Sequence, residues 1–461
     1  MPPLDQTNPY TLEPAARRDR DDSSAVAEKL ATVRQAQAEW AHTPVSERVE
    51  VLRDALSYFD RQREEIATDI TTLMGKPLAQ SRNELNGFFE RAEFLLGAAE
   101  SALAPETLAE VEGFHRRIEH VPLGVVFVIS AWNYPLMISL NGVLAALLAG
   151  NTVLLKHASA TAPIGDHFEA AFGNIASHPG LLQHAFASHQ DAGDLIRQRQ
   201  VDHVIFTGSV QGGRAISRSC GEAMLDCHLE LGGKDAAYVA ADADLLAAAE
   251  TIVDGCMYNA GQSCCSIERV YLHEDIFEAF VDQASKLISA YRLGDPTAAD
   301  TTMGPLADPR TAEVMEQQVE EARAGGAEIV LGGQRRIING ATFFEPTLVL
   351  HPSAGMSLLR EETFGPLLPV MKVGDDEEAL AHINDCELGL TAAVFTSSPE
   401  RAEKMAARIE AGTVFMNRCD YLDPALPWTG HKFSGRGSGL SRFSFYGLTR
   451  RKAIHFKLPP G

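Results

Sequence analysis

The sequence has no apolar run long enough to cross a bilayer, no cysteine spacing suited to a metal ion, and no block of lysine and arginine. Its longest apolar tract, residues 135–150, is interrupted by Ser139 and Asn141 and falls short of the ~20 residues a membrane helix needs. A membrane partner is therefore not expected. Residues 1–22 hold prolines and acidic side chains where a secretory signal would have an apolar core, so no such signal is expected. The 7 cysteines are an odd number, and Cys220, Cys227, Cys256, Cys386 and Cys419 are scattered, which disfavours both a disulfide framework and a zinc site. A reducing cytoplasm is the expected compartment, with no metal. The net charge of -22 opposes binding to a phosphate backbone, so no nucleic acid partner is expected. It does not forbid an anionic cofactor, because backbone amides at a helix start can hold phosphates.

What is present is a chain of 461 residues, 45% hydrophobic, with length for two or three domains and no internal repeat or disordered linker. Residues 1–22 read as a loose polar lead-in. Residues 25–103 show apolar positions every three or four residues, as in Val51, Leu52, Leu56 and Phe59, and are expected to be helical. Ser46 with Glu50 suggests a capped helix start, and Gly75-Lys76-Pro77 a break. From residue 116 the pattern changes. Residues 117–121 alternate, as in an edge or hairpin strand. Residues 125–129 are continuously apolar, as in a strand buried on both faces of a parallel sheet. A loop (130–135), a helix (136–148) and a strand (152–155) follow, making a parallel α/β unit. A third unit reads as a strand over 202–206, a turn over 207–213 and a helix from Arg214.

Glycines in that turn, beside a helix start, point to a nucleotide-like phosphate. Two sharper motifs are absent. Arg214-Ala215 replaces the Lys-Ser/Thr of a P-loop, and GxGxxG does not occur there. The second chemical signal is Asn259-Ala260-Gly261-Gln262-Ser263-Cys264-Cys265, a tight junction between an apolar helical run and a strand. A thiol with pKa ~8.5 becomes a nucleophile only where a dipole, cation or base favours the thiolate. Taken alone, the cysteine pair reads equally as buried packing, Glu230 as a helix cap or surface carboxylate, Lys156 as a solvated lysine and Phe364 as a core aromatic.

Seven stretches in fixed order resemble the aldehyde dehydrogenase superfamily over nearly the whole chain. They are Ala131-Trp132-Asn133-Tyr134-Pro135, Leu155-Lys156, Phe206-Thr207-Gly208-Ser209, Glu230-Leu231-Gly232-Gly233-Lys234, Gly261-Gln262-Ser263-Cys264, residues 361–366, and Lys432-Phe433-Ser434-Gly435. The short N-terminus and Lys156-His157-Ala158 look like the compact bacterial branch that includes succinate-semialdehyde dehydrogenases. The resemblance implies Cys264 as nucleophile, Glu230 as the base that activates water, and Asn133 as an oxyanion donor, with Cys265 a packing neighbour. It implies cofactor contacts at Trp132, Lys156, Gly208, Ser209, Gly213, Glu362 and Phe364. The substrate pocket is expected from Tyr134, Tyr258, Ser263, Cys419, Asp420 and Tyr421. Arg269 and Lys432 read equally as structural ion-pair partners and stay outside the site. Where the family has Lys-Pro-Ser/Ala-Glu, with an acid three residues after the lysine, this chain has Lys156-His157-Ala158-Ser159. Loss of that carboxylate removes a repulsion against a 2′-phosphate, so the cofactor is NAD or NADP.

The implied fold is α/β: a parallel-sheet dinucleotide-binding domain (1–105 and 123–232), an α/β catalytic domain (233–433) and a small β oligomerisation flap (106–122 and 445–461). The implied reaction is NAD(P)-dependent oxidation of an aldehyde to the acid through a cysteine thiohemiacetal and thioester, in a homodimer or homotetramer. Two alternatives stand beside it: a CoA-acylating enzyme, which needs no water-activating carboxylate, and a non-catalytic binding protein on the same fold.

Overall fold

A computed structural model describes residues 4–459. The outermost residues of the expected lead-in and flap, 1–3 and 460–461, lie outside the described residues. Two sheets dominate. The first has six strands in the order Gly435–Arg436, Cys227–Glu230, His203–Thr207, Val125–Ile129, Thr152–Lys156, Leu182–His184. All neighbours run parallel except Gly435–Arg436, which is antiparallel to Cys227–Glu230. Strand Val125–Ile129 is fully buried, and its alternation serves two cores. Val126 and Val128 pack with Leu140, Leu144 and Phe88, while Val125, Phe127 and Ile129 pack with Val33, Leu195 and Val204. Each such side chain contributes roughly 1.5–3 kcal/mol on full burial. The chain winds outward from this strand in both directions, and such a reversal leaves a crevice at the carboxyl ends of the strands.

The second sheet has seven strands in the order Glu328–Leu331, Thr347–Leu350, Leu367–Val373, Ile267–His273, Asp235–Val239, Thr391–Phe395, Thr413–Met416. Only Glu328–Leu331 is antiparallel to its neighbour. One sheet's strand ends at Glu230 and the other's begins at Asp235, so the C-terminal edge of the first abuts the N-terminal edge of the second.

Four local expectations differ from the structure. The lead-in is a hairpin, Leu4–Thr7 paired with Pro14–Arg18, fastened by the Gln6 amide donating to the Ser159 carbonyl at 2.7 Å. The second helix, Val45–Arg61, starts after Pro44 with no side-chain cap; the proline's fixed φ sets the start and leaves Ser46 inside the first turn. Of the two readings of strand Phe114–Pro122, the hairpin holds, with Glu106–Thr107, but the strand is not an edge, because Thr449–Lys457 pairs on its other side. The helix expected from Arg214 begins at Val210, since Ser209 caps it by accepting from the Gly212 N–H.

Candidate active site

The Cys264 loop opens with three residues in the left-handed region, Asn259 (φ 53°), Ala260 (φ 55°) and Gly261 (φ 71°). Two non-glycine residues there are strained, and surrounding hydrogen bonds hold them. The Asn259 amide donates to the carbonyls of Asn133 at 3.2 Å and Gln262 at 3.1 Å. The Asn133 amide donates to the same Gln262 carbonyl at 3.2 Å, two residues before Cys264. An amide nitrogen carries two hydrogens, so Asn133 keeps a second donor. Cys264 is half-buried while Cys265 is buried. The Cys265 thiol donates to Asp420 Oδ1 at 3.0 Å, and its hydrogen bond with Cys264, together with burial, raises its pKa. Cys265 thus stays a thiol.

Glu230 ends its strand beside this loop. The two glycines after Leu231 permit the approach: a Cβ at Gly233 would lie 2.2 Å from the Cys264 carbonyl oxygen, and one at Gly232 would lie 2.4 Å from Glu362 Oε2. Glu230 and Cys264 line one cavity of about 680 Å³. Glu230 Oε2 accepts from Thr207 Oγ1 at 3.3 Å.

On the cofactor side, Gly208 and Ser209 form the turn into helix Val210–Ala223, whose first amides offer a positive pole for a pyrophosphate. Gly213 lies inside that helix, where a Cβ would meet Leu231 Cδ2 at 2.5 Å, so it serves close helix–strand packing. Lys156 ends its strand 4% exposed, and its ammonium makes no hydrogen bond or ion pair among the described residues. Burial, then Arg20, lowers it to about 8. A buried cation with no protein partner fits an anionic or hydroxyl-bearing ligand. His157 locks this strand end to the first loop through Pro135 O (3.0 Å) and Thr161 Oγ1 (3.1 Å); burial lowers its pKa to about 4, so it is neutral. Glu362 accepts from the Gly233 N–H at 3.1 Å, and burial, then Glu268, pushes it up to about 8. Trp132 and Phe364 meet edge to face with centroids 5.6 Å apart. These residues fit a dinucleotide.

The Glu362–Phe364 loop hangs on a buried ion pair. Lys234 and Glu268 lie 2.6 Å apart with side chains 0% and 2% exposed. Glu268 accepts from the N–H groups of Thr363 (2.8 Å) and Phe364 (2.9 Å), and Lys234 donates to Thr363 Oγ1 at 2.9 Å. Removing one partner of such a pair costs about 3–5 kcal/mol. Among the described residues Arg269 bonds only to neutral groups, chiefly the carbonyls of Lys234, His382 and Ile383, whereas Lys432 pairs with Glu410 at 2.7 Å. Both act structurally.

The residues expected to form the substrate pocket, Tyr134, Tyr258, Ser263, Cys419, Asp420 and Tyr421, all line the 680 Å³ cavity. Tyr258 accepts from Asn83 Nδ2 at 3.3 Å, Tyr421 donates to Glu90 at 2.8 Å, and Cys419 donates to the Thr251 carbonyl at 3.3 Å. Sequence reasoning missed the opposite wall, helix Leu78–Leu103. Its Glu84 pairs with Lys76 at 2.6 Å and caps helix Pro135–Leu148 by accepting from the N–H groups of Leu136 (2.9 Å) and Met137 (3.3 Å). Its Arg91 is buried, bonds Asn141 at 3.3 Å and makes no ion pair among the described residues. Burial lowers the Arg91 pKa, opposed first by Glu230. The available signal was two charged residues, Glu84 and Arg91, spaced with Leu85, Phe88 and Leu95 on the helix's buried face.

Residues 2–454 match the aldehyde dehydrogenase family. Succinate-semialdehyde dehydrogenase [NADP(+)] of Deinococcus radiodurans is 32% identical over 98% of this chain and 94% of that protein. A succinate semialdehyde dehydrogenase [NAD(P)+] of Escherichia coli is 34% identical over 88% of each chain. Betaine aldehyde dehydrogenase of Staphylococcus aureus, solved with NAD+, superposes with a TM-score of 0.94 at 27% identity, over 100% of this chain and 94% of that one.

Proposed function

Because the chain belongs to the aldehyde dehydrogenase family, we propose that it oxidises an aldehyde to the carboxylic acid with NAD or NADP, using Cys264 as nucleophile, Glu230 as base and Asn133 as oxyanion donor. The observation that carries this reading is that the Cys264 thiol and the Glu230 carboxylate line the same cavity. The Cys264 sulfur attacks the aldehyde carbon, and the oxyanion of the thiohemiacetal takes hydrogen bonds from the free Asn133 N–H and the Cys264 backbone N–H. Bound nicotinamide supplies the hydride acceptor that lets this carbon be oxidised. The thioester left on Cys264 is hydrolysed by a water that Glu230 deprotonates. Lys156, Ser209 and Glu362 would hold the cofactor, with Gly208 in the turn that admits it and Trp132 and Phe364 packing against it. Glu230 on the cavity wall favours water over CoA as acyl acceptor, and its presence with Cys264 and Asn133 weighs against a non-catalytic role.

In this reading residues 1–105 and 123–232 carry the cofactor and 233–433 the nucleophile. Residues 106–122 and 445–461 supply the subunit contact of a homodimer or homotetramer in the cytoplasm, through edge strand Thr449–Lys457. The relatives' names include an anionic and a cationic aldehyde, and Arg91 supports the anionic one here. A buried guanidinium without a carboxylate partner favours an aldehyde that carries its own carboxylate.

The test is NAD(P)H formation with aliphatic, aromatic, cationic and ω-carboxy aldehydes, wild type beside Cys264→Ala and Cys265→Ala. Turnover is expected to fall by about 10³-fold or more in Cys264→Ala and by less than about tenfold in Cys265→Ala. Turnover surviving in Cys264→Ala overturns the assignment.

A further inference from the structure

Residues two apart on a strand share a face, and in Cys227–Glu230 this sets His228 beside Glu230 while Cys227 and Leu229 turn into the core behind them. His228 Nε2 lies 3.5 Å from Glu230 Oε1, a few tenths of an ångström beyond a hydrogen bond. Both side chains also line a second cavity, of about 350 Å³, built against the C-terminal segment. Glu230 belongs to the walls of both cavities, with Cys264 on one side and His228 on the other. Glycines make the room: a Cβ at Gly437 would stand 3.0 Å from the His228 ring, and one at Gly439 would stand 2.4 Å from Glu230 Oε1 and 3.2 Å from His228 Cε1. His228 keeps 13% of its side-chain surface accessible, so the ring is at the cavity wall and not sealed behind it.

The geometry points to His228 as the positioning partner of Glu230, holding the base from behind, accepting its proton after water is activated, and discharging it through the second cavity. This rests on Glu230 being the base. As the water oxygen bonds the thioester carbon, one water proton goes to Glu230. The C–S bond then breaks with its electron pair going to the Cys264 sulfur, and the acid departs. Glu230 returns to its carboxylate form by passing its proton to His228 Nε2, and the imidazolium releases a proton to solvent. Accepting a proton requires a neutral ring, and burial, opposed by Glu230, lowers the His228 pKa. The other charged or titratable residues lining this cavity are Arg199, Asp202, His203, Asp226, Cys227, Arg436, Arg450 and Tyr446. Burial is what holds His228 neutral, against the pull of Glu230.

The test is single-turnover deacylation of the enzyme acylated by its aldehyde, followed across pH 5–9 in wild type, His228→Gln and His228→Ala, the last with and without added imidazole. Wild-type deacylation is expected to fall as pH drops and His228 takes up a proton. His228→Gln should deacylate roughly ten- to a hundredfold more slowly and lose that acid limb, with the preceding NAD(P)H burst unchanged. Imidazole should restore deacylation in His228→Ala. Deacylation at the wild-type rate and pH profile in His228→Gln overturns the inference, and so does slow deacylation that imidazole does not rescue and that comes with a diminished burst. Glu230→Gln separates the two layers. If it deacylates normally, the base assignment itself fails; if it stalls while the His228 variants behave as wild type, only the role of His228 fails.

Discussion

On the dinucleotide side of Cys264 the polar groups stand at strand ends and in the loops that join strands to helices: Lys156 at the end of one strand, Ser209 in the turn after another, Glu362 in the loop before a third. Across the 680 Å³ cavity, the flank of one long helix, Leu78–Leu103, supplies Glu84, Glu90 and Arg91, facing the loop residues Ser263, Asp420 and Tyr421. The first arrangement binds what all such crevices bind, with backbone amides and a few fixed side chains. The second can vary one helix position at a time without disturbing a turn, which suits it to choosing among aldehydes. In the proposed reading, chemistry and substrate choice sit on different elements that meet at Glu230 and Cys264.

Arg91→Met on the helix should produce the larger separable effect. A charge-assisted hydrogen bond to a carboxylate is worth about 1.5–3 kcal/mol, so kcat/KM for ω-carboxy aldehydes should fall roughly ten- to a hundredfold. Neutral aldehydes and the cofactor Kd should change by no more than about twofold. Equal losses for all aldehydes would break the division of labour, because Arg91 would then be supporting the site as a whole.

Lys156→Met at the strand end should give the smaller and complementary effect, read by fluorescence titration of NADH and NADPH. Burial lowers Lys156 to about 8, so the ammonium is present below that pH and lost as pH rises through it. Wild-type binding should therefore weaken above about pH 8. The variant should bind about tenfold more weakly at pH 7, with the greater loss for the 2′-phosphate cofactor, and show no such pH dependence. Aldehyde selectivity should not move. An unchanged Kd with the same pH profile would remove Lys156 from the cofactor contacts.

The same contrast explains what could be read from the residues alone. Strand ends and loops carry unusual residues in fixed order, so Asn133, Lys156, Ser209, Glu230, Cys264 and Glu362 stand out as motifs. A helix writes its wall every third or fourth residue, and Arg91 is one polar position among apolar ones. His228 was equally silent, because its meaning depends on Gly437 and Gly439, which return from about two hundred residues later to shape the space around it. The start of helix Val210–Ala223 was misplaced for a local reason: two glycines suggested a turn, but the Ser209 cap stabilises helix through them. The buried pair Lys234–Glu268, which fixes the Glu362 loop, joins residues 34 apart in sequence and becomes visible only once the second sheet is formed.

The central claim is that Glu230 activates the water that frees the acyl group from Cys264, and Glu230→Gln tests it most directly. Mixed with an aldehyde substrate and NAD(P), this variant should release a burst of one NAD(P)H per site and then stall. Intact-protein and peptide mass spectrometry should find the acyl group on Cys264. Steady turnover at the wild-type rate, with no acyl adduct on the Cys264 peptide, would contradict the account.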